Sequence, residues 1–363
     1  VSFILKGKFN FMSDKKTTYR EHTDMENTLK LRQVLATLPP FCKDYFRAID
    51  TTTTAKTRIS YAYDIRIFFQ FLLDENPAFK DHAMTDFTVD VLDQIKAVDL
   101  EEYQEYLKLY QSGDKTETNG ERGLKRKISA LRSFYAYYYK REMIHTNPTV
   151  LIDVPKIHEK SIIRLDTDEV AMLLDYIEHC GDTLTGQKRV FYEKTKERDL
   201  AIVTLLLGTG IRVSECVGLD IEDVDFKNNG IKVTRKGGNE MVVYFGPEVE
   251  KALKRYLEVR EGITPLAGHE HALFYSAQRK RIGVQAVENM VKKYSRQITT
   301  TKKITPHKLR STYGTALYQE TGDIYLVADV LGHKDVNTTK KHYAALDDAR
   351  RRQAATAVKL REE

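Results

Sequence analysis

The sequence predicts a mainly α-helical protein with a small antiparallel β-sheet, an α+β chain of two domains. Apolar residues recur at three- and four-residue steps through most of the chain, the signature of helices with one buried face. Residues 230–245 instead place two β-rich runs on either side of a glycine-rich turn, which reads as a hairpin. Residues 146–160 carry Pro148 and Pro155 without periodicity and read as a linker. The 363 residues suit two domains at roughly 100–200 residues each.

Composition narrows the classes. Hydrophobic residues make up 41% of the chain, enough for an ordinary core in each half. The net charge of +6, from 58 basic and 52 acidic residues, is too small to establish a polyanionic partner, so its distribution decides. Cys42, Cys180 and Cys216 have no paired spacing and sit among apolar residues, as buried thiols in a reducing compartment do. No apolar run reaches the 18 residues of a membrane span. Phe3-Ile4-Leu5 is too short for the apolar part of a secretory signal, and Met12 resembles a natural start. Residues 1–19 are expected to be a flexible extension.

Residues 24–142 read as four helices within a helical domain spanning 20–145. Ala62, Ile65, Phe69, Leu72 and Leu73 form one stripe, entered through Thr51–Thr54. Leu100, Tyr103, Leu107 and Tyr110 form another, ended by Gly113-Asp114. Leu124, Ile128, Leu131, Tyr135 and Tyr138 form a third. Stripes of this kind are core before they are ligand sites. The charge on the last helix is less ordinary. From Arg122 to Arg141 there are seven basic residues (Arg122, Lys125, Arg126, Lys127, Arg132, Lys140, Arg141) and no acidic one. Solvated faces usually mix signs. A one-signed face beside Tyr137 and Tyr139 fits a helix along a phosphate backbone. Arg58 and Arg66 on the earlier helix are weaker candidates for the same contact.

In the second half, a domain over residues 161–346, Asp166 or Thr167 caps a helix through Ala171, Leu174 and Ile177. Asp199–Leu207 is an apolar helix broken at Gly208-Thr209-Gly210, and Arg212 follows at the tight turn, with Glu215 on the same helical face. Lys236 sits at the tip of the 230–245 hairpin, where a lysine is ordinarily just solvated but could also reach a leaving oxygen. In Thr305-Pro306-His307-Lys308-Leu309-Arg310, Thr305 is a good N-cap and Pro306 suits the first turn. His307 and Arg310 then share a face near a helix N-terminus, a place that suits an anion. Asp323 caps a short helix, Ile324 to Leu331, which Gly332 ends just before His333. Asn337 or Thr338 caps a last segment bearing Tyr343. A tyrosine is most often a structural residue. A phenol of pKa about 10 becomes a useful nucleophile only where cations stabilise its anion and hold a phosphate in line.

Taken in order, Gly210-Ile211-Arg212-Val213-Ser214-Glu215, the lysine of the hairpin, His307-Lys308-Leu309-Arg310, Leu331-Gly332-His333 and Tyr343 resemble the tyrosine recombinases, the phage integrase family. The resemblance covers residues 160–350 by motif and the helical half by architecture. It implies a SAM-like helical core-binding domain and a tyrosine-recombinase catalytic domain, closing on DNA as a C-shaped clamp. It also implies that Arg212 and Arg310 clamp the scissile phosphate, with His333 as a further donor. His307 would assist proton transfer, Lys236 would protonate the leaving 5′ oxygen, and Tyr343 would attack to leave a 3′-phosphotyrosine. Glu215 would be a supporting residue.

No metal and no cofactor is implied. The partners implied are double-stranded DNA and further copies of the chain, four on two DNA sites through a Holliday junction. The tail, residues 347–363, would dock on a neighbouring protomer. An excisionase or a host DNA-bending protein would be an accessory partner, and the setting would be the nucleoid of a prokaryotic cytoplasm, with integration, excision or resolution of a mobile genetic element as the outcome. The same residues would also serve a type IB topoisomerase or a telomere resolvase. A DNA-binding regulator without catalysis would not need the tyrosine.

Overall fold

Thr18 opens the first helix: its hydroxyl accepts from the Glu21 amide at 3.3 Å, and the Glu21 carboxylate accepts from the Thr18 amide at 2.8 Å. The structure, a computed structural model, describes residues 18–158, 162–235, 237–333 and 335–336. The chain divides into two compact units, Val1–Glu159 and Lys160–Glu363.

In the first unit α1 (Tyr19–Leu35) is followed by α2 (Cys42–Ala48), α3 (Ala55–Glu75), α4 (Val91–Gln94) and α5 (Ala97–Tyr106). An antiparallel hairpin, β1 (Leu109–Ser112) and β2 (Lys115–Thr118), leads into α6 (Glu121–Lys140). The expected four helices are therefore six, with a hairpin not foreseen. Two local causes account for this. Ile95 turns extended and the Lys96 amide donates to Asp99 at 2.7 Å, which starts a new helix. The apolar stripe through Tyr110 does not continue the helix; Tyr110 lies in β1 and stacks on Tyr106 with ring centroids 5.3 Å apart. Gly113, at φ +60°, forms the two-residue turn with Asp114.

The core of this unit is aromatic. Phe134 on α6 is fully buried, with ring centroids 5.2 Å from Tyr45, 5.0 Å from Tyr138 and 6.3 Å from Phe69. α6 packs on α3 and α2, and α3 on α1 and α5. Truncating Phe134 would cost about 3–5 kcal/mol. The first part of the segment read as a linker is held in this unit. Asp93 accepts from the amides of His145 and Thr146, a 3-10 turn spans Pro148–Val150, and Ile152 joins the core.

The second unit begins with α7 (Thr167–His179), where the Asp166 amide donates to Glu169 at 2.8 Å. Its buried residues are Leu173 and Ile177; Ala171 is exposed, so the stripe is displaced from the one read. After a 3-10 turn (Cys180–Thr183) comes α8 (Gly186–Thr209), longer than its apolar run because Tyr192 and Thr195 extend the buried face. α8 is the hub, packed by α7, α10 and α12. Next are α9 (Val213–Gly218) and a three-stranded antiparallel sheet in the order β3 (Val224–Asp225), β4 (Gly230–Thr234), β5 (Glu240–Tyr244). α10 (Pro247–Glu261) and α11 (Val284–Ile298), two helices beyond those expected, precede α12 (Pro306–Thr321) and α13 (Ile324–Leu331). Pro306 takes the first helical position of α12, with Thr305 as its N-cap residue. Asp323 caps α13 by accepting from the amides of Tyr325 and Leu326.

Cys42, Cys180 and Cys216 are buried free thiols. Among the described residues, no helix is long and apolar enough to cross a membrane.

Candidate active site

Two left-handed glycines bring distant parts of the second unit together. Gly210 ends α8 at φ +62°, and a side chain there would collide with Tyr313 and Leu331. The chain turns at once into Arg212, the N-cap residue of α9. Gly332 ends α13 at φ +62° in the same way and delivers His333, whose amide donates to Ala328 at 2.9 Å.

Beyond Ala328 and Asp329, whose carbonyls accept from the His333 and Gly332 amides, the last carbonyls of α13 and that of Gly332 lie at the negative end of the helix dipole. Three arginines from three elements take them up. Arg235, just beyond β4, donates to Val330 at 2.7 Å and to Leu331 at 3.0 Å. Arg310, on α12, donates to the same Leu331 oxygen and to Gly210 at 2.5 Å. Arg212 donates to Gly332 at 3.3 Å. Glu215 is the carboxylate among them. It is buried, accepts from Arg212 Nη1 at 2.8 Å and from the Arg212 amide at 2.8 Å, and lies 3.5 Å from Arg235 Nη1. Burial holds the Arg235 guanidinium below its usual range, and Arg212 presses the same way against the opposing pull of Glu215.

Arg310 is only 4% exposed and Arg235 8%, whereas the Arg212 side chain is 34% exposed. Each guanidinium has five N–H donors in a fixed fork, so bonds to carbonyls orient it and still leave it the geometry to meet phosphate oxygens. His307 stands exposed in the first turn of α12, three residues before Arg310. The structure thus gathers Arg212, Glu215, Arg310 and the approach to His333 at one end of α13, with His307 on the helix that carries Arg310. Lys236 and Tyr343 lie outside the described residues, as do residues 337–363 with the tail. Among the described residues no group of three His, Cys, Asp or Glu side chains is placed to hold a metal ion.

Arg235 was not among the expected residues. Its signal was the alternation of β4: Ile231 and Val233 are buried, Lys232 and Thr234 exposed, so position 235 falls on the inner face. A buried arginine there required a carboxylate and free carbonyls, supplied by residues remote in sequence.

On the first unit, the basic helix α6 is less uniform than its sequence suggests. Arg122 and Lys125 are exposed. Lys127 is buried, donating to Asn119 at 2.9 Å and lying 3.9 Å from Asp64. Arg126 is paired with Asp64 while half exposed. Arg132 donates to the carbonyls of Thr149 and Ile152 at 3.0 and 2.7 Å. Lys127 is therefore buried within the unit rather than presented on the face expected to follow a phosphate backbone, and Arg132 is held by two carbonyls of its own unit. The reason is that the buried Asp64 carboxylate and the unpaired carbonyls of the 145–152 segment need donors. Arg58 pairs with Asp50, and Arg66 lies over the Tyr63 ring at 5.2 Å.

The chain is similar to known proteins over most of its length. Residues 163–350 match the family described as the phage integrase family. The chain is 33% identical over 336 residues to tyrosine recombinase XerC of Caldanaerobacter subterraneus subsp. tengcongensis, covering 90% of this chain and 88% of that one. It is 31% identical over 338 residues to tyrosine recombinase XerS of Lactococcus lactis subsp. cremoris, covering 87% and 93%. Among solved structures, XerH recombinase bound to a palindromic difH substrate in a post-cleavage complex has a TM-score of 0.60 at 21% identity, covering 84% of this chain and 80% of that one. The Tn1549 transposon integrase in complex with circular intermediate DNA also has a TM-score of 0.60 at 21% identity, covering 83% and 94%.

Proposed function

The chain belongs to the phage integrase family, the tyrosine recombinases, and from that premise we propose how its own residues cut and rejoin DNA as a site-specific recombinase. Arg212 and Arg310 hold the two non-bridging oxygens of the scissile phosphate, and His333 adds a further donor. Charge develops on those oxygens as a fifth ligand approaches phosphorus, so donors fixed beforehand stabilise the transition state more than the ground state. Each such donor is worth roughly a hundred- to thousandfold in rate.

The Tyr343 oxygen attacks phosphorus, and the bond to the 5′ oxygen breaks. His307 assists removal of the phenolic proton, and Lys236 gives a proton to the departing 5′ oxygen. The product is a 3′-phosphotyrosine and a free 5′ hydroxyl. A 5′ hydroxyl from another strand then attacks the same phosphorus, the tyrosine leaves, and the backbone is restored. One diester replaces another at each step, so no external energy source enters. Glu215 fixes the fork of Arg212.

The observation that carries this reading is the convergence of Arg212 and Arg310, from two separate helical segments, on consecutive carbonyls directly before His333. Double-stranded DNA is the substrate. Arg122 and Lys125 are its exposed contacts on α6, with Arg126 half available. Four protomers assemble on two sites, and tail 347–363 joins neighbours. An excisionase or a DNA-bending protein would bias direction, and the work is done in the cytoplasm.

The test is covalent trapping. Nicked duplexes made from candidate repeat ends lose a short fragment after cleavage and hold the enzyme on DNA. The intact chain should form a denaturant-resistant adduct and Tyr343→Phe none, while both bind the duplex. Binding without any adduct from the intact chain would make it a DNA-binding regulator.

A further inference from the structure

Arg235 has no place in the mechanism above, yet it is among the most heavily bonded side chains of the site. Its amide donates to Asn239 at 2.8 Å and its carbonyl accepts from Gly238 at 3.0 Å, which closes the turn of the β4–β5 hairpin. Its Nε donates to Met241 Sδ at 2.8 Å, which ties it to β5. Its two terminal nitrogens reach Val330, Leu331 and Glu215. One buried side chain therefore fastens the turn end of the hairpin to the last turn of α13 and to the carboxylate that holds Arg212. Gly332 is fitted to the same guanidinium: a Cβ there would lie 2.9 Å from Arg235 Cζ.

We infer that Arg235 is a positioning residue for strand cleavage, anchoring the hairpin to α13 so that the next residue, Lys236, delivers its proton to the departing 5′ oxygen. This rests on the assignment of Lys236 as the general acid. The physical reason is reach. A lysine at a hairpin tip has a flexible four-carbon stem, so its ammonium is only as well placed as the backbone that bears it. The next Cα in a trans chain lies about 3.8 Å away, so fixing Arg235 fixes the base of that stem. A tip held only by strand pairing would swing. A tip riveted to the segment that carries His333 moves with the phosphate-binding groups.

The experiment compares cleavage of two suicide duplexes in single turnover, one with the natural 5′ oxygen at the scissile position and one with sulfur there. A thiolate leaves without a proton, because thiols titrate near pH 8.5, so the sulfur substrate does not need the acid. Arg235→Ala and Arg235→Lys are tested beside Lys236→Ala. A general acid contributes roughly a hundredfold or more. Arg235→Ala should lose about that on the oxygen substrate and recover to within a few-fold of wild type on sulfur, as Lys236→Ala should. Arg235→Lys, which lacks the fork, should recover little on oxygen.

The comparison is read on whichever Arg235 variant binds the duplex with wild-type affinity. Equal loss on both substrates, wild-type rates on both, or failure of both variants to bind would overturn the inference. If sulfur rescues Lys236→Ala but not the Arg235 variants, only this inference falls. If it does not rescue Lys236→Ala, the assignment of the acid falls first.

Discussion

Arg235 and Arg310 donate to one oxygen, the carbonyl of Leu331, the former at 3.0 Å. One side chain comes from the end of a strand and the other from a helix, and both meet the oxygen just before the left-handed turn at Gly332. The shared acceptor makes the phosphate-binding arginine and the hairpin arginine parts of a single arrangement, with Glu215 as its counter-charge. Changing what both rest on, the carboxylate of Glu215 or the turn at Gly332, should therefore disturb the whole arrangement.

Glu215→Ala removes the carboxylate beneath two guanidiniums and leaves positive charge crowded in a buried site. Breaking such a buried pair costs about 3–5 kcal/mol. Thermal unfolding of the full chain should begin earlier, and adduct formation should fall further than DNA affinity does. Glu215→Gln, which keeps the shape and an acceptor, should lose less on both counts.

Gly332→Ala tests the turn itself. A non-glycine residue at φ +62° costs about 1–2 kcal/mol, and its Cβ meets the Arg235 guanidinium. The variant should bind duplex normally in a gel-shift assay and cleave it at least tenfold more slowly.

On the first unit the basic residues of α6 should separate into two kinds. Arg122 and Lys125 are exposed, so replacing both with Ala should lower the slope of log affinity against log salt by about 2, leaving thermal stability unchanged. Lys127→Ala should do the reverse, since it strips a partner from buried Asp64. Salt titrations of binding and thermal melts on the same samples distinguish the two.

Asp64 gives a pH dependence. Burial pushes its carboxyl from 3.8 up to about 6, against the opposing pull of Arg126 and Lys127. Burial prevails because Arg126 is half exposed and its charge is screened by water. The folded carboxyl thus holds its proton where the unfolded one has lost it. Stability contributed here is present below pH 3.8 and is lost as pH rises through about 6, a change on the order of 3 kcal/mol. Hydrogen-exchange protection of α3 and α6 should fall over that window relative to Asp64→Asn, which should lack the step.

Much of the site was legible because its residues sit beside strong backbone signals. Gly210, Pro306, Asp323 and Gly332 each fix a helix end, and Arg212, Arg310 and His333 are placed from those ends. Arg235 was not legible, because its partners Glu215, Val330 and Leu331 are brought to it only by tertiary packing. The same holds for Lys127 and Arg132: seven like charges on one helix read as a surface, until a buried aspartate and loose carbonyls nearby claim two of them. The β1–β2 hairpin was hidden by Tyr110, which keeps helical spacing to Tyr103 and Tyr106 while belonging to a strand. A stripe of apolar residues records which side chains are covered, and here two kinds of backbone satisfied it.

The most direct measurement is the chemistry of the trapped adduct. Proteolysis of the covalent complex followed by mass spectrometry should find the nucleotide on the peptide containing Tyr343, joined through a 3′ phosphate, with a free 5′ hydroxyl on the released strand. A 5′-phosphate linkage, or attachment at any other residue, would contradict the account.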